Sequence, residues 1–270
     1  MILYYNNGMD KKELTYDYIA GTDIHLWQRK DMFRINTDTA QLARFMKIRK
    51  GERVLDVGTN NGALLLAAAA DEPSFLCGVD IQEEACELAR FNMQEHGITN
   101  AEIRCEDFSA STLRGFDVVL CNPPYFQQGH HGEVKVSSRA IARHEVFLQL
   151  DVLIANTAKA LKENGRFYLV HRSERIPDIL QHCHEHRLEV KTMQLMFDEQ
   201  KEHAVGVLIE CRSQYSSAAD GDDRYSAEYR SLPHHAPCYV KMREMRAEVS
   251  EHGTAGGICR LSLLSSDECA

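Results

Sequence analysis

The chain has 270 residues and is 44% hydrophobic, enough apolar material for one full core with an appendage. Its formal net charge of -9 argues at first against a nucleic-acid partner, and no apolar run reaches the length of about 18 residues that a membrane span needs. The opening "MILYYNNGMDKKELTYDY" lacks a basic stretch followed by an apolar one, so no signal peptide is expected. Nine cysteines, an odd number with no CxxC pair, read as free thiols in a reducing compartment, and the cytoplasm is the expected location.

In chain order, "LTYDYIAGTDIHLWQ" (14–28) suits a small hairpin turning near Gly21, and "NTDTAQLARFM" (36–46) a helix with Thr37 as N-cap. "RVLDV" (53–57) reads as a buried strand that opens directly into a helix, "GALLLAAAA" (62–70). "SFLCGVD" (74–80) is a second core strand. The helix "QEEACELARFNMQEHG" (82–97) follows, with Gly97 as its C-cap. "AEIRCED" (101–107) and "FDVVLC" (116–121) are the third and fourth strands. Val146, Leu150, Leu153, Ile154, Ala158 and Leu161 recur at helical spacing. A fifth strand (164–170), a helix (174–186) and two closing strands, "LEVKTMQLMF" and "HAVGVLIEC", complete the pattern.

This alternation predicts an α/β, Rossmann-like fold. Its sheet has seven mostly parallel strands, an antiparallel edge hairpin and helices on both faces. Three segments are expected: residues 1–48 as an N-terminal hairpin and helix covering the ligand site, 49–212 as the core, and 213–270 as a polar linker and tail, partly disordered or a small add-on. No internal repeat is visible.

Charge is unevenly spread. Residues 71–110 hold ten Asp/Glu and two Lys/Arg, whereas 24–53 hold eight Lys/Arg and three acids. A globally acidic chain can carry a local basic surface that attracts phosphates, although a charge run is as often a solvated face.

"VLDVGTNNG" (54–62) joins the first core strand to its helix, where ligands of such folds bind. Gly58 and Gly62 allow sharp turns, and Asn60 tolerates positive φ. A tight turn with no ligand would look the same. Neither a GxGxxG fingerprint nor a phosphate loop with a GK[ST] ending is present, which disfavours dinucleotides and nucleoside triphosphates. Asp80 ends the second strand, where a carboxylate can accept both hydroxyls of a ribose. Asp107 ends the third and can accept from an adenine amino group, with Phe108 packing on the ring. Either acid taken alone reads first as a helix N-cap.

"VLDVGTNNG", "GVDIQ", "CEDF" and "NPPY", in this order, resemble class I S-adenosylmethionine (SAM)-dependent methyltransferases, over about residues 14–211. "QRKDMFRINTDTAQLA" (28–43) and "ARHEVFLQLDVLIANTAKALKENGRFYLVHRSER" (142–175) are similar to the bacterial tRNA(Val) adenine-N6 methyltransferases, which modify the adenosine next to the anticodon. The resemblance implies SAM as cofactor and tRNA as partner. Asp56, Gly58, Asn60 and Gly62 would line the methionine end, with Thr37 and Asp38 over it. Asp80 and Ile81 would meet the ribose side, Asp107 and Phe108 the adenine, and Asn122, Pro123, Pro124 and Tyr125 the target base. Asn60 departs from the usual glycine, and the tail beyond about residue 225 matches nothing in the family.

The chemistry suits those residues. An adenine amino nitrogen is a poor nucleophile because its lone pair is delocalised into the ring. Two acceptors on its N–H groups favour the pyramidal geometry of attack and hold the positive charge that develops. Asn122 Oδ1 and the Pro123 carbonyl are those acceptors, and Pro124 holds Pro123 extended. Tyr125 offers a face on which a flipped base stacks. Arg29, Lys30, Arg34, Lys47, Arg49, Lys50, Arg139 and Arg143 are candidate phosphate contacts, and 130–145 reads as a substrate loop. "HCHEH" (182–186) and His130–His131 offer no third metal ligand at proper spacing, so no metal is expected. Cys121 reads as a core residue.

Two other acceptors share the same logic: a glutamine amide in a release factor, and the 2-amino group of guanine in rRNA. A cofactor-binding protein without catalysis is a further reading, which the intact "NPPY" disfavours. Whether the chain is a monomer or a dimer is left open by the sequence.

Overall fold

The computed structural model describes residues 14–123, 149–198 and 203–214, and the backbone of 245–249 and 258–263. A two-stranded hairpin, β1 (Leu14–Tyr18) and β2 (His25–Arg29), comes first, with Gly21 at φ 78° in its turn. The helix α1 (Thr37–Phe45) follows. The core then alternates β3 (Arg53–Val57), α2 (Ala63–Ala69), β4 (Phe75–Asp80), α3 (Glu83–Glu95), β5 (Ala101–Cys105) and β6 (Phe116–Cys121). Next come α4 (Leu150–Ala160), β7 (Leu161–His171), α5 (Ile176–Glu185), β8 (Leu188–Phe197) and β9 (Ala204–Ser213).

The seven expected strands pair in the order β8-β9-β7-β6-β3-β4-β5, with β7–β9 and β8–β9 antiparallel and the rest parallel. Two more strands, β10 (Met245–Val249) and β11 (Ile258–Leu263), pair antiparallel beyond β8 and widen the sheet to nine. They come from the tail, whose weak periodicity gave no strand signal.

Along each parallel strand, neighbouring apolar residues face opposite cores. Leu55, Val57, Cys77, Val79, Val119 and Cys121 pack with α4 and α5. Val54, Leu76, Val118 and Leu120 pack with α1, α2 and α3. This two-sided burial is why the strands are continuous apolar runs. The second core also takes in Ile19, Leu26, Ala40, Leu42 and Phe45, so the hairpin and α1 share a core with the residues after position 48.

Two helix ends merit comment. The N-cap expected at Thr37 falls one residue earlier: Asn36 is extended (φ -133°), and its Oδ1 accepts the Thr39 amide at 3.0 Å. A capping oxygen must reach the amide three residues on, and from Asn36 that amide is Thr39. At the end of α3 the cap is His96, and Gly97 (φ 67°) stands one beyond it. Gly97 N donates to Gln94 O and Ile98 N to Met93 O, the paired bonds of a Schellman turn.

Candidate active site

Strand register builds the site. Val57 aligns with Val79 on one side and Cys121 on the other, and Asp80 aligns with Cys105. The chain therefore leaves four adjacent strands in a row: Asp107, Asp80, Gly58 and Asn122, at strand spacings of about 4.8 Å. This row lies at the carboxyl ends of the parallel strands, where open α/β sheets bind ligands.

The glycine loop is tied to its neighbours. Gly58 N and Thr59 N donate to Val79 O at 2.8 and 3.0 Å. Asn60, at φ 48°, donates its amide to Asp80 Oδ2 at 2.9 Å, and Gln82 N donates to Asp80 Oδ1 at 3.0 Å. Two backbone amides thus orient the buried Asp80 carboxylate. Gly62 has φ 78°, a backbone conformation that favours glycine, and a Cβ there would meet only the flexible end of Met93, Cε at 2.9 Å.

Asp56 lies beneath this loop, 1% exposed. Its Oδ2 accepts from Thr59 Oγ1 at 2.8 Å, while its Oδ1 is buried with no hydrogen-bond partner among the described residues. Burial pushes its carboxyl up to about 7, opposed by the Thr59 bond and assisted by the charge of Asp80. A buried acceptor of this kind favours a cation nearby, and SAM carries an ammonium and a sulfonium at its methionine end. The residues present fit that group.

The N-terminal segment closes over the loop. Asn60 Nδ2 donates to Phe33 O at 2.7 Å. Gln28 Oε1 accepts from Ile35 N at 2.7 Å and from Asn61 Nδ2 at 3.3 Å. Asn92 of α3 is fully buried; its Nδ2 donates to the carbonyls of Trp27 and Asn61, both at 2.9 Å, and its Oδ1 accepts from Trp27 N at 2.9 Å. Asp38 sits half-buried on α1, its carboxyl raised by desolvation against the pull of Arg172. Thr37 is exposed beside it.

Asp107 caps a short 3-10 turn, its Oδ1 accepting from Ser109 N at 2.8 Å. The capping role and the place in the row coexist. Phe108 differs from expectation: its ring is 4% exposed and packs in the core with Leu150 and Leu153, not open against a ligand. Its carbonyl is held by Asn156 Nδ2 at 2.9 Å. Ile81, by contrast, is exposed. Asn122 and Pro123 are half-buried after β6, and Asn122 Nδ2 donates to Thr39 Oγ1 of α1 at 3.0 Å. Pro124, Tyr125, Arg139, Arg143 and the histidines 130 and 131 lie outside the described residues.

The basic residues divide. Arg29 pairs with Asp31 at 2.6 Å and Arg34 with Asp17 at 2.7 Å, both next to the segment over the glycine loop, with Lys30 exposed between them. Lys47, Arg49 and Lys50 precede β3, at the opposite edge of the sheet, and Lys50 pairs with Glu72 at 2.5 Å. The fold does not bring that trio to the row. In "HCHEH", His182 Nδ1 bonds Glu185 Oε2 at 2.9 Å, and among the described residues no group of three or more metal-ligating side chains occurs. No helix among them is long and apolar enough to cross a membrane.

Sequence reasoning missed Thr39, Phe33, Asn61 and Asn92. Their signal was faint: three small polar residues and one aromatic inside otherwise ordinary patterns, joined to partners tens of positions away.

A parallel sheet with a glycine turn after its first core strand, acids after the next two and Asn-Pro after the fourth defines a SAM-dependent methyltransferase of class I. The chain belongs to the methyltransferase domain family, which matches residues 48–226. S-adenosylmethionine is its cofactor. The chain is 31% identical over 165 residues to the tRNA1(Val) (adenine(37)-N6)-methyltransferase of Flavobacteriaceae bacterium (strain 3519-10), covering 60% of this chain and 69% of that relative. The enzyme of the same name from Parabacteroides distasonis is 27% identical, over 54% of this chain and 62% of the relative. The release factor glutamine methyltransferase of Shewanella oneidensis is 33% identical over 48% of each chain. The chain thus spans from about half to about two thirds of these relatives' lengths. Among solved structures, Trm5b from Pyrococcus abyssi superposes with a TM-score of 0.54 at 12% identity, over 75% of this chain and 56% of that one. A SAM-dependent O-methyltransferase from Thermotoga maritima gives 0.51 at 17%, over 69% of each. These two show the fold.

Proposed function

We propose that the chain methylates the N6 amino group of an adenine in tRNA, the adenosine next to the anticodon of tRNA(Val). The observation that carries this reading is the position of Asn122 and Pro123. They leave β6 beside the glycine loop, with the amide nitrogen of Asn122 already engaged by Thr39.

SAM supplies an electrophilic methyl on its sulfonium. The chain supplies geometry. Asp80 and Ile81 hold the ribose side, and Asp107 with the Phe108 backbone the adenine. Asp56 and the loop Gly58, Asn60 and Gly62 hold the methionine end, under Thr37 and Asp38. Asn122 Oδ1 and the Pro123 carbonyl accept the two N–H groups of the target, and Tyr125 after Pro124 stacks the base. Positioning and electrostatics then carry the rate, and no strong general base is needed. Arg29, Lys30 and Arg34, beside the segment over the glycine loop, would meet the RNA backbone, with Arg139 and Arg143 as further contacts; Lys47, Arg49 and Lys50 would serve only a partner large enough to reach them.

A second reading, methylation of a release-factor glutamine, is favoured by the relative from Shewanella oneidensis, since an amide N–H meets the same two acceptors. The test is incubation with methyl-labelled SAM and either unmodified tRNA(Val) transcript or release factor, then mass spectrometry. N6-methyladenosine in the tRNA is expected. Methylated glutamine with unlabelled tRNA overturns the reading.

A further inference from the structure

We propose that Thr39, oriented by Asn36, is a positioning residue that fixes which end of the Asn122 amide faces the target nitrogen. The inference deepens the amino-group reading above and rests on it.

Asn36 Oδ1 accepts two bonds from Thr39: the amide N–H at 3.0 Å, which caps α1, and the Oγ1 hydroxyl at 3.1 Å. The amino end of Asn36 faces Asp38 Oδ2 at 3.5 Å, so the oxygen end is turned toward Thr39. With its proton given to Asn36, Thr39 Oγ1 has only lone pairs left to offer. It accepts Asn122 Nδ2–H at 3.0 Å, and no donor among the described residues meets Asn122 Oδ1. The polarity of the chain therefore runs one way: Asn122 to Thr39 to Asn36.

This direction matters because the two ends of an asparagine amide have nearly the same shape. Were the amide reversed, its NH2 would confront the N–H groups of the substrate, and the acceptor would be lost. A half-buried asparagine at a strand end has little else to choose between the two orientations. The capping bond does not need the Thr39 hydroxyl, since the Thr39 amide already satisfies the cap. The hydroxyl is thus free of structural duty to α1, and Thr39 as a whole is only 6% exposed.

The test compares Thr39→Val, Thr39→Ala and Thr39→Ser with the wild-type chain on the substrate it methylates. Loss of one hydrogen bond corresponds to between about twofold and tenfold, and loss of the amide's orientation adds to it. Val and Ala are expected to lower kcat about tenfold or more, with KM for the nucleic acid and Kd for SAM within about twofold. Ser is expected to restore kcat to within about twofold. A merely structural role would lower the unfolding midpoint and SAM affinity together and would not be rescued selectively in kcat. Wild-type kcat in both the Val and Ala variants, or a Ser variant as impaired as Val, overturns the proposal. If wild type labels a release-factor glutamine and not tRNA, the reading above falls; the variants are then compared on that peptide, where the same order of kcat is required.

Discussion

Asn60 Nδ2 donates to the Phe33 carbonyl at 2.7 Å, joining the glycine loop to the segment that leads into α1. The bond explains the asparagine at a glycine position. At φ 48° glycine would be at ease, but it would leave the Phe33 carbonyl untethered. Asn60→Gly should weaken SAM binding by between about twofold and tenfold, the range for one hydrogen bond. Calorimetry reads this directly, and an unchanged Kd would show that the tether does not organise the site.

In the proposed reaction Asn122→Ala removes an acceptor that matters only as positive charge develops on the target nitrogen. Turnover should fall by about 10²–10³, the scale for losing one preorganised polar group, while SAM affinity stays near wild type. Equal losses in both would mean that Asn122 holds the cofactor and not the substrate.

Asp56 sets a pH dependence. Its carboxyl lies at about 7 when folded against an ordinary value of 3.8, so it favours the folded state when protonated. That contribution is complete below about pH 4 and is lost as pH rises to about 7. Asp56→Asn should therefore make the cofactor-free chain more stable than wild type at pH 8 and leave the two level at pH 4, by urea denaturation. A cationic ligand favours the ionised carboxylate, so SAM affinity of the wild type should rise between pH 5 and 8 with proton release on binding. A flat profile would separate Asp56 from the cofactor.

Gly78 faces the same region from β4. A Cβ there would meet Thr59 Oγ1 at 2.8 Å and the Cδ1 atoms of Leu65 and Ile103, each at 2.9 Å. Gly78→Ala should destabilise by about 1–3 kcal/mol through overpacking, and displace Thr59 from Asp56. A denaturation midpoint equal to wild type would mean the neighbours yield freely.

The core strands were readable because burial on both faces makes them unbroken apolar runs. β6 begins and ends where "FDVVLC" does. The order of motifs along the chain also placed Asp80, Gly58 and Asn122 on one edge, since parallel strands align their carboxyl ends. Less was legible where side chains act across distance. Thr39 meets Asn122 over 83 positions, and Asn92 meets Trp27 over 65, contacts that no local period encodes. At Phe108 the sequence shows an aromatic beside an acid but not the helix α4 whose core takes up the ring. Thr37 and Asn36 are both capping residue types, and only the reach to the Thr39 amide decides for Asn36.

The hairpin and α1 share a core with α2 and α3, and Asn92 bolts β2 to the glycine loop. Ligand affinity and local opening are then linked quantities. SAM at a hundred times its Kd adds about 2.7 kcal/mol to any state that must keep the site intact. Amides of His25–Arg29 in β2, none of which needs to touch the ligand, should exchange with solvent more slowly as SAM is titrated in. The hairpin becomes a remote gauge of occupancy.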